Sequence, residues 1–399
     1  MTESPLPGGP ASSSSSDSAP AHASSPQPLA GIRVVEFSHM VMGPACGLML
    51  ADLGADVIKI EPAPDGDKTR RLAGSGAGYF PAYNRNKRSV MLDLTGEQGR
   101  RTARQLALQA DVLIENFRPG GLDAMGLGYE SLAADNPKLV YCSLKGFLAG
   151  PYEHRTALDE VVQMMSGLAY MTGPLGKPMR AGASVNDVMG GLFGALAILA
   201  ALRERERSGR GQHVQSGLFE NSVFLMGQHM MQQAVSGAPA QPMSVRRPAW
   251  GVYDIFETAD DVPLFVGVVT DRQWEIFVAG FDDAELRRPE YATNNQRTAA
   301  RAALIPHIAT LLKSRSAAEV EALCERGGLP FARIGKPSDL FDDPHLNAGG
   351  GLLPITLPNG TATKAPALPI AFGGRRPGLR LDLPAPGADN AGIIGREDG

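Results

Sequence analysis

The sequence predicts an α/β protein in which a large domain on a parallel sheet is followed by a smaller α+β domain. Three observations carry this expectation. Apolar strand-like runs alternate with helical patterns across residues 31–61, 90–117 and 138–168, the signature of βαβ units. A Pro- and Gly-rich stretch at 236–248 then gives way to alternating strand patterns at 252–257 and 263–269. At 399 residues, 43% of them apolar and 20% charged, the chain is long enough for two hydrophobic cores.

Residues 1–27, rich in Ser, Pro and Ala, have neither the apolar core of a signal peptide nor the arginines of a transit peptide, and are expected to be a disordered tail. Residues 31–37 read as a first strand; Gly43-Pro44 opens a helix that Gly54 closes, and 55–61 is the second strand. This βαβ unit looks Rossmann-like, but its first turn lacks Gly-x-Gly-x-x-Gly, which argues against dinucleotide redox chemistry; Glu61, ending strand two, would alone suggest a ribose contact. A strand at 90–94, a helix over 98–109 capped by Thr95 and a strand at 111–117 repeat the pattern. The apolar run 188–202, between Asp187 and Arg203, is shorter than the roughly 20 residues that span a bilayer and reads as a buried helix. A short strand at 211–217 and a Met-rich helix over 218–235 complete this part. Beyond the linker, Asp260-Asp261 signals a hairpin, and helices are expected at 272–279, 298–312 and 316–325. The expected domains are therefore a large one at 28–235, a linker and small domain at 236–328, and a return segment at 329–399 that completes the large domain.

Net charge of −4 and a pI near 6.0 supply no basic field for nucleic acid or an anionic membrane, so the expected partner is a small molecule. The three cysteines form no CxxC, and their odd number fits a reducing, cytoplasmic setting. The seven histidines include no i, i+4 pair, so no metal site is expected.

The stretch that draws the chain together runs from Lys145 to Gly167. A Gly- and Pro-containing loop follows the strand at 138–144, and a helical pattern begins at Asp159. A carboxylate is thereby placed at the top of a helix, past the carboxyl end of a parallel strand, where ligands of open α/β sheets bind. By position alone Asp159 reads first as an N-cap or first-turn acid, and only the rest of the chain lifts it above that. Lys87 and Arg88 have the chemistry to hold a phosphate, and Asn116-Phe117 to stack on a base; a solvated turn and an ordinary strand exit explain them as well.

Glu36-Phe-Ser-His-Met-Val-Met-Gly43-Pro44, Gly54-Ala-Asp-Val-Ile-Lys-Ile-Glu61, Asn84-Arg-Asn-Lys87-Arg88-Ser89, Glu115-Asn116-Phe117, Gly126-Leu-Gly-Tyr129 and Asp159 occur in that order. Together they resemble the class III CoA-transferases, the formyl-CoA and carnitine CoA-transferase type, from about residue 29 to the C-terminus. The resemblance implies a Rossmann-like large domain made from both chain ends, a smaller α+β domain and an interlocked homodimer. It implies that Asp159, ahead of Gln163-x-x-Ser-Gly167, is the nucleophile, forming an aspartyl anhydride and then an aspartyl-CoA thioester as CoA moves from an acyl-CoA such as succinyl-CoA to a carboxylic acid. The acyl-CoA is a substrate, with no permanently bound cofactor. Carried over by residue, the CoA-binding positions are His39, Met40, Val41, Met42, Lys87, Asn116, Phe117, Met125 and Lys145. Where the formyl-CoA branch has a glutamine and arginines, this chain has Val41, Pro62-Ala63 and Ala124, so Arg70 or Arg71 is expected at the CoA phosphate. The branch's glycine run is replaced by Arg246-Arg247-Pro-Ala-Trp250-Gly, which points away from formyl-CoA and oxalate. If Arg246 and Arg247 face a substrate carboxylate, a dicarboxylic acid is favoured; a solvated linker is the alternative. An α-methylacyl-CoA racemase is the nearest rival, with His154 as its proton carrier, although Leu158 stands where that branch has the His of Gly-His-Asp. A noncatalytic acyl-CoA sensor is the other.

Overall fold

The computed structural model describes residues 25–246 and 248–395, so most of the expected tail, residues 1–24, lies outside the described residues. β1 (Arg33–Phe37), α1 (Met42–Asp52) and β2 (Asp56–Pro62) form the first unit. The short α2 (Tyr79–Tyr83) leads to β3 (Lys87–Leu92), α3 (Glu97–Leu108) to β4 (Val112–Glu115), and α4 (Tyr129–Asp135) to β5 (Val140–Lys145). Then come α5 (Asp159–Met165), α6 (Leu168–Thr172), α7 (Val185–Ser208), β6 (His213–Gly217) and α8 (Leu218–Ser236). The strands are parallel in the order β3-β2-β1-β4-β5-β6. The chain steps outward from β1 to β3, then returns to the other side of β1 as β4. That reversal opens a crevice at the carboxyl ends of β1 and β4.

Side chains alternate across each strand, so the sheet has two buried faces. Val34, Val57, Val112 and Val140 pack with Cys46 and Leu50 of α1 and Ile198 of α7. Val35, Ile58, Leu113 and Tyr141 pack with Leu106 of α3 and Leu132 of α4. Thr95 does not cap α3 as expected: its N–H and hydroxyl both donate to Asp93 Oδ1, and the helix starts after Gly96. The local Asx turn outcompetes the cap.

The smaller unit has an antiparallel sheet, β7 (Val252–Glu257), β8 (Pro263–Val268) and β9 (Phe331–Arg333), with α9 (Asp271–Phe281), α10 (Asn294–Ala299), α11 (Arg301–Lys313) and α12 (Ala317–Gly327). Its own core contains Trp274, Phe277, Leu304, Ile308 and Val320. The single helix expected over 298–312 is two, broken at Ala300. The expected hairpin turn is present, with Asp261 at φ 58°.

At the C-terminal end, α13 (Pro344–Ala348) precedes an antiparallel hairpin, β10 (Leu352–Thr356) and β11 (Ala362–Pro366), which the sequence reading missed among the prolines and glycines. The chain then runs along the edge of β3 to α14 (Asn390–Ile393). Asp389 accepts from Ser89 N at 2.9 Å, Asn390 Oδ1 from Met91 N at 2.9 Å, and Leu381 O from Asn86 N at 2.9 Å. Donors of the edge strand are thereby covered.

α7 differs from the buried helix that was expected. It has 24 residues, long and apolar enough by length and composition to cross a membrane. Only one face is buried, with Gly190, Gly191, Gly194 and Ala195 toward its start and Ile198 and Leu202 further along, while Leu192 and Leu196 are 53% and 58% exposed. A Cβ on Gly191 would lie 2.8 Å from Met42 O and 2.9 Å from Cys46 N, so α7 touches the backbone of α1 directly. Gly191→Val is expected to destabilise the protein by about 2 kcal/mol through overpacking, measured by urea unfolding; an unchanged midpoint would show that this contact is slack.

Candidate active site

The crevice is stitched at its mouth by one amide. Asn116, just past β4, accepts from His39 N at 3.1 Å through Oδ1 and donates to His39 O at 2.8 Å through Nδ2. The turn it holds carries Met40 at φ 64°, an uncommon conformation for a side chain of this size. Beneath the turn lies a fully buried charge network. Lys59 Nζ donates to Ser38 O at 2.7 Å and pairs with Asp67 at 3.0 Å and Glu36 at 3.4 Å; Lys87 Nζ pairs with Glu36 at 2.8 Å. Burial pulls the Lys87 ammonium down to about 8, against the attraction of Glu36. His39 is also lowered, by burial first, and stays neutral at pH 7.

Asp159 is the first residue of α5, yet its carboxylate does not cap that helix. It turns to the N-terminus of α7: Oδ2 accepts from Asn186 N at 2.8 Å and Asp187 N at 3.1 Å. These are two of the backbone donors that an α-helix leaves without internal partners, at its positive end. Oδ1 accepts from Gln163 Nε2 at 2.6 Å, one turn along α5, and Gln163 Oε1 accepts from Ala181 N at 2.8 Å. Arg180 Nη2 stands 3.6 Å from Oδ1, beyond hydrogen-bond reach. The Asp187 carboxyl faces the same space and is pushed up to about 7 by burial and by the charge of Asp159, with Arg180 opposing.

Two cavities meet here. One, of about 250 Å³, is lined by Asp159, Arg180, Asp187, Gly146, Lys145 and the turn at 39–42. The other, of about 670 Å³, is largely apolar and bordered by Phe117, Met125, Lys68 and Arg100. His39 and Met40 line both, so the cavities share a wall at the crevice mouth.

Of the sequence-predicted residues, His39, Met40, Val41, Met42, Asn116, Lys145 and Asp159 come together around the smaller cavity, and Phe117 and Met125 around the larger. Lys145 Nζ is held by Glu115 at 2.6 Å and Phe117 O at 2.9 Å. Lys87 is buried in the network below and lines neither cavity. Arg70 also turns inward, gripping Glu61 with two bonds of 2.7 and 2.6 Å and lying 3.7 Å over the Phe80 ring. Glu61 is thereby occupied by Arg70, Ser89 and Asp67 N rather than left for a ribose. Arg71 donates to Asp65 O. Arg246 lines neither cavity, and Arg247 lies outside the described residues. Sequence reading missed Arg180, Asp187 and the α7 N-terminus as parts of the site. The start of α7 was legible, but its meeting with Asp159 across 27 residues of chain was not. Cys46, Cys142 and Cys324 are buried thiols, and no cluster of metal-ligating side chains occurs among the described residues.

Residues 29–390 match CoA-transferase family III. The chain is 36% identical over 376 residues to the succinate–glutarate CoA-transferase of Agrobacterium fabrum, covering 90% of this chain and 92% of that one. It is 32% identical to the succinyl-CoA–D-citramalate CoA-transferase of Chloroflexus aurantiacus, over 84% of this chain and 85% of the other. A crystal structure of a CAIB/BAIF family protein from Brucella suis superposes with a TM-score of 0.82 at 35% identity, covering 94% of this chain and all of that one. The likeness first met in scattered motifs thus extends through the whole described fold, and the chain belongs to CoA-transferase family III, a family of enzymes.

Proposed function

We propose that this enzyme moves CoA from succinyl-CoA to a carboxylic acid acceptor, with Asp159 as the nucleophile. The observation that carries the reading is the Asp159 carboxylate: buried, held at one oxygen by two backbone N–H groups, and opening on a cavity that adjoins a second one sized for the rest of CoA. The relatives named for succinyl-CoA and succinate support the donor.

The chemistry follows from exchanging one thioester for another. Oδ1 attacks the thioester carbonyl, the C–S bond breaks, and CoA thiolate leaves a mixed aspartyl anhydride. The thiolate then attacks the Asp159 carboxyl carbon; the bond to the bridging oxygen breaks, and the first acid departs as its carboxylate. The acceptor carboxylate attacks the resulting aspartyl-CoA thioester, expels the thiolate and forms a second anhydride. The thiolate attacks the acceptor's carbonyl, and Asp159 leaves as a carboxylate. No net proton is consumed. In the steps at the Asp159 carbon, negative charge develops on Oδ2, where the N–H groups of Asn186 and Asp187 are already in place as an oxyanion hole. Asp187, its carboxyl pushed up to about 7 by burial and by Asp159, carries a proton for part of the time at neutral pH and so limits the negative charge beside the nucleophile and the thiolate.

The larger cavity takes the adenosine end, with Phe117 as its stacking ring and Lys68 and Arg100 as the cations nearest the phosphates. Arg70 and Lys87 support the walls from behind. His154, the proton carrier of the racemase alternative, sits on an exposed loop beside Glu153 and lines neither cavity, which favours transfer. The separate cores support the division into a Rossmann-like large domain and a small α+β domain. Exposed Phe224 and Val235 on α8, with Leu192 and Leu196 on α7, support the expected homodimer.

Incubation with succinyl-CoA and borohydride should leave a reduced side chain at Asp159, seen by peptide mass, and Asp159→Ala should lower transfer by at least about 10³-fold. A panel of donors that yields no adduct while transfer proceeds would contradict the covalent route. For Asp187, the folded protein holds a proton that the unfolded chain releases near the ordinary carboxylate range, so its contribution to stability falls as pH rises from about 4 to 7. Asp187→Asn is therefore expected to stabilise the fold by on the order of 2 kcal/mol above pH 7 and by little near pH 4, measured by thermal unfolding; a pH-independent difference would contradict this.

A further inference from the structure

We infer that Arg180 is the residue that selects dicarboxylic acyl groups, binding the distal carboxylate of the succinyl unit and of a dicarboxylic acceptor. The inference rests on the transfer reading above and adds a substrate class to it. CoA, seated in the larger cavity and passing the turn at His39 and Met40, delivers its thioester to Asp159 from the side of β1 and β4. The acyl chain then extends beyond Asp159, toward Glu160, Arg180 and Ser184.

Three cationic or potentially cationic side chains border that cavity. His39 is neutral at pH 7, and Lys145 is committed to Glu115 and Phe117 O. Arg180 remains. Its guanidinium lies 3.6 Å from Asp159 Oδ1 and 3.8 Å from Glu160 Oε2, attracted to both without a hydrogen bond to either. Its Nε is buried and has no hydrogen-bond partner among the described residues. A buried donor of this kind is costly unless a ligand completes it. A planar fork of donors beside the reacting carboxylate matches a second carboxylate held a short aliphatic chain away from the thioester carbon. Glu160, whose side chain is 58% exposed, has room to swing into solvent as that carboxylate arrives.

A monocarboxylic acyl group of the same length offers Arg180 nothing, so discrimination should appear between succinyl-CoA and butyryl-CoA. The test compares kcat/KM for both donors in the wild type, Arg180→Gln and Arg180→Lys, alongside borohydride trapping at Asp159. The wild type should prefer succinyl-CoA. Arg180→Gln should lower the succinyl-CoA value at least about tenfold more than the butyryl-CoA value, mainly through KM, and Arg180→Lys should restore part of the preference. Equal losses with both donors would overturn the inference, because Arg180 would then act on Asp159 itself. No loss with either would overturn it too. An Asp159 adduct from butyryl-CoA but not from succinyl-CoA would retain transfer and remove the carboxylate anchor. No adduct from either donor in the wild type would instead strike the transfer reading.

Discussion

The contact between the Asp159 carboxylate and the first turn of α7 is the constraint on which the site depends. Two N–H groups from a 24-residue helix meet one oxygen of an acid that belongs to a different helix. For that to happen α7 must lie against α1 and β5 closely enough to aim its N-terminus at the crevice. Gly191 and Gly194 supply the close approach: a Cβ on Gly194 would sit 2.6 Å from a methyl of Leu144 on β5. Gln163 fixes the other oxygen from within α5. The carboxylate is therefore oriented before any substrate arrives, which is the condition for donors to act on developing charge without rearrangement.

The second constraint lies under the crevice. Glu36, Lys59, Lys87 and Asp67 are buried together, an expensive arrangement in a protein interior unless each charge is met by another. What the network fixes is a turn. Lys59 holds Ser38 O, Ser38 Oγ donates to Glu36 at 2.7 Å, and the next residues are the His39 and Met40 that divide the two cavities. Gly47 of α1 makes room for it, since a Cβ there would fall 1.8 Å from Glu36 Oε2. Lys87 belongs to this support, which gives a physical role to a lysine that the motif alone suggested would touch the ligand.

Much of this was legible in the chain. The βαβ alternation gave the parallel sheet because apolar runs and glycine stops are local signals, and the position of Asp159 followed from strand, loop and helix in sequence. The directions of Arg70 and Lys87 were not legible: Lys87 meets Glu36 only when β1, β2 and β3 pair, and Arg70 reaches Glu61 only because the chain after β2 folds back over nine residues. Arg180 went unnoticed because it stands in a loop without periodicity. The exposed flank of α7 was missed for a different reason: an apolar run reports how many apolar residues a helix has, and the glycines that mark its packed face look like interruptions. The β10–β11 hairpin was hidden by prolines that sit on an isolated two-stranded ribbon.

Transfer through anhydrides exchanges an Asp159 oxygen with the substrates. Its most direct test is a limited-turnover reaction with an acceptor acid labelled with ¹⁸O in its carboxylate, followed by mass analysis of the peptide that contains Asp159. Transfer through two anhydrides leaves one labelled oxygen on Asp159, because the thiolate attacks the acceptor's carbonyl and the bridging oxygen stays with the enzyme. The peptide is expected to be heavier by one ¹⁸O substitution, lost again when unlabelled acceptor is turned over. An unlabelled peptide from an enzyme that has converted the acceptor to its CoA thioester would contradict the anhydride route.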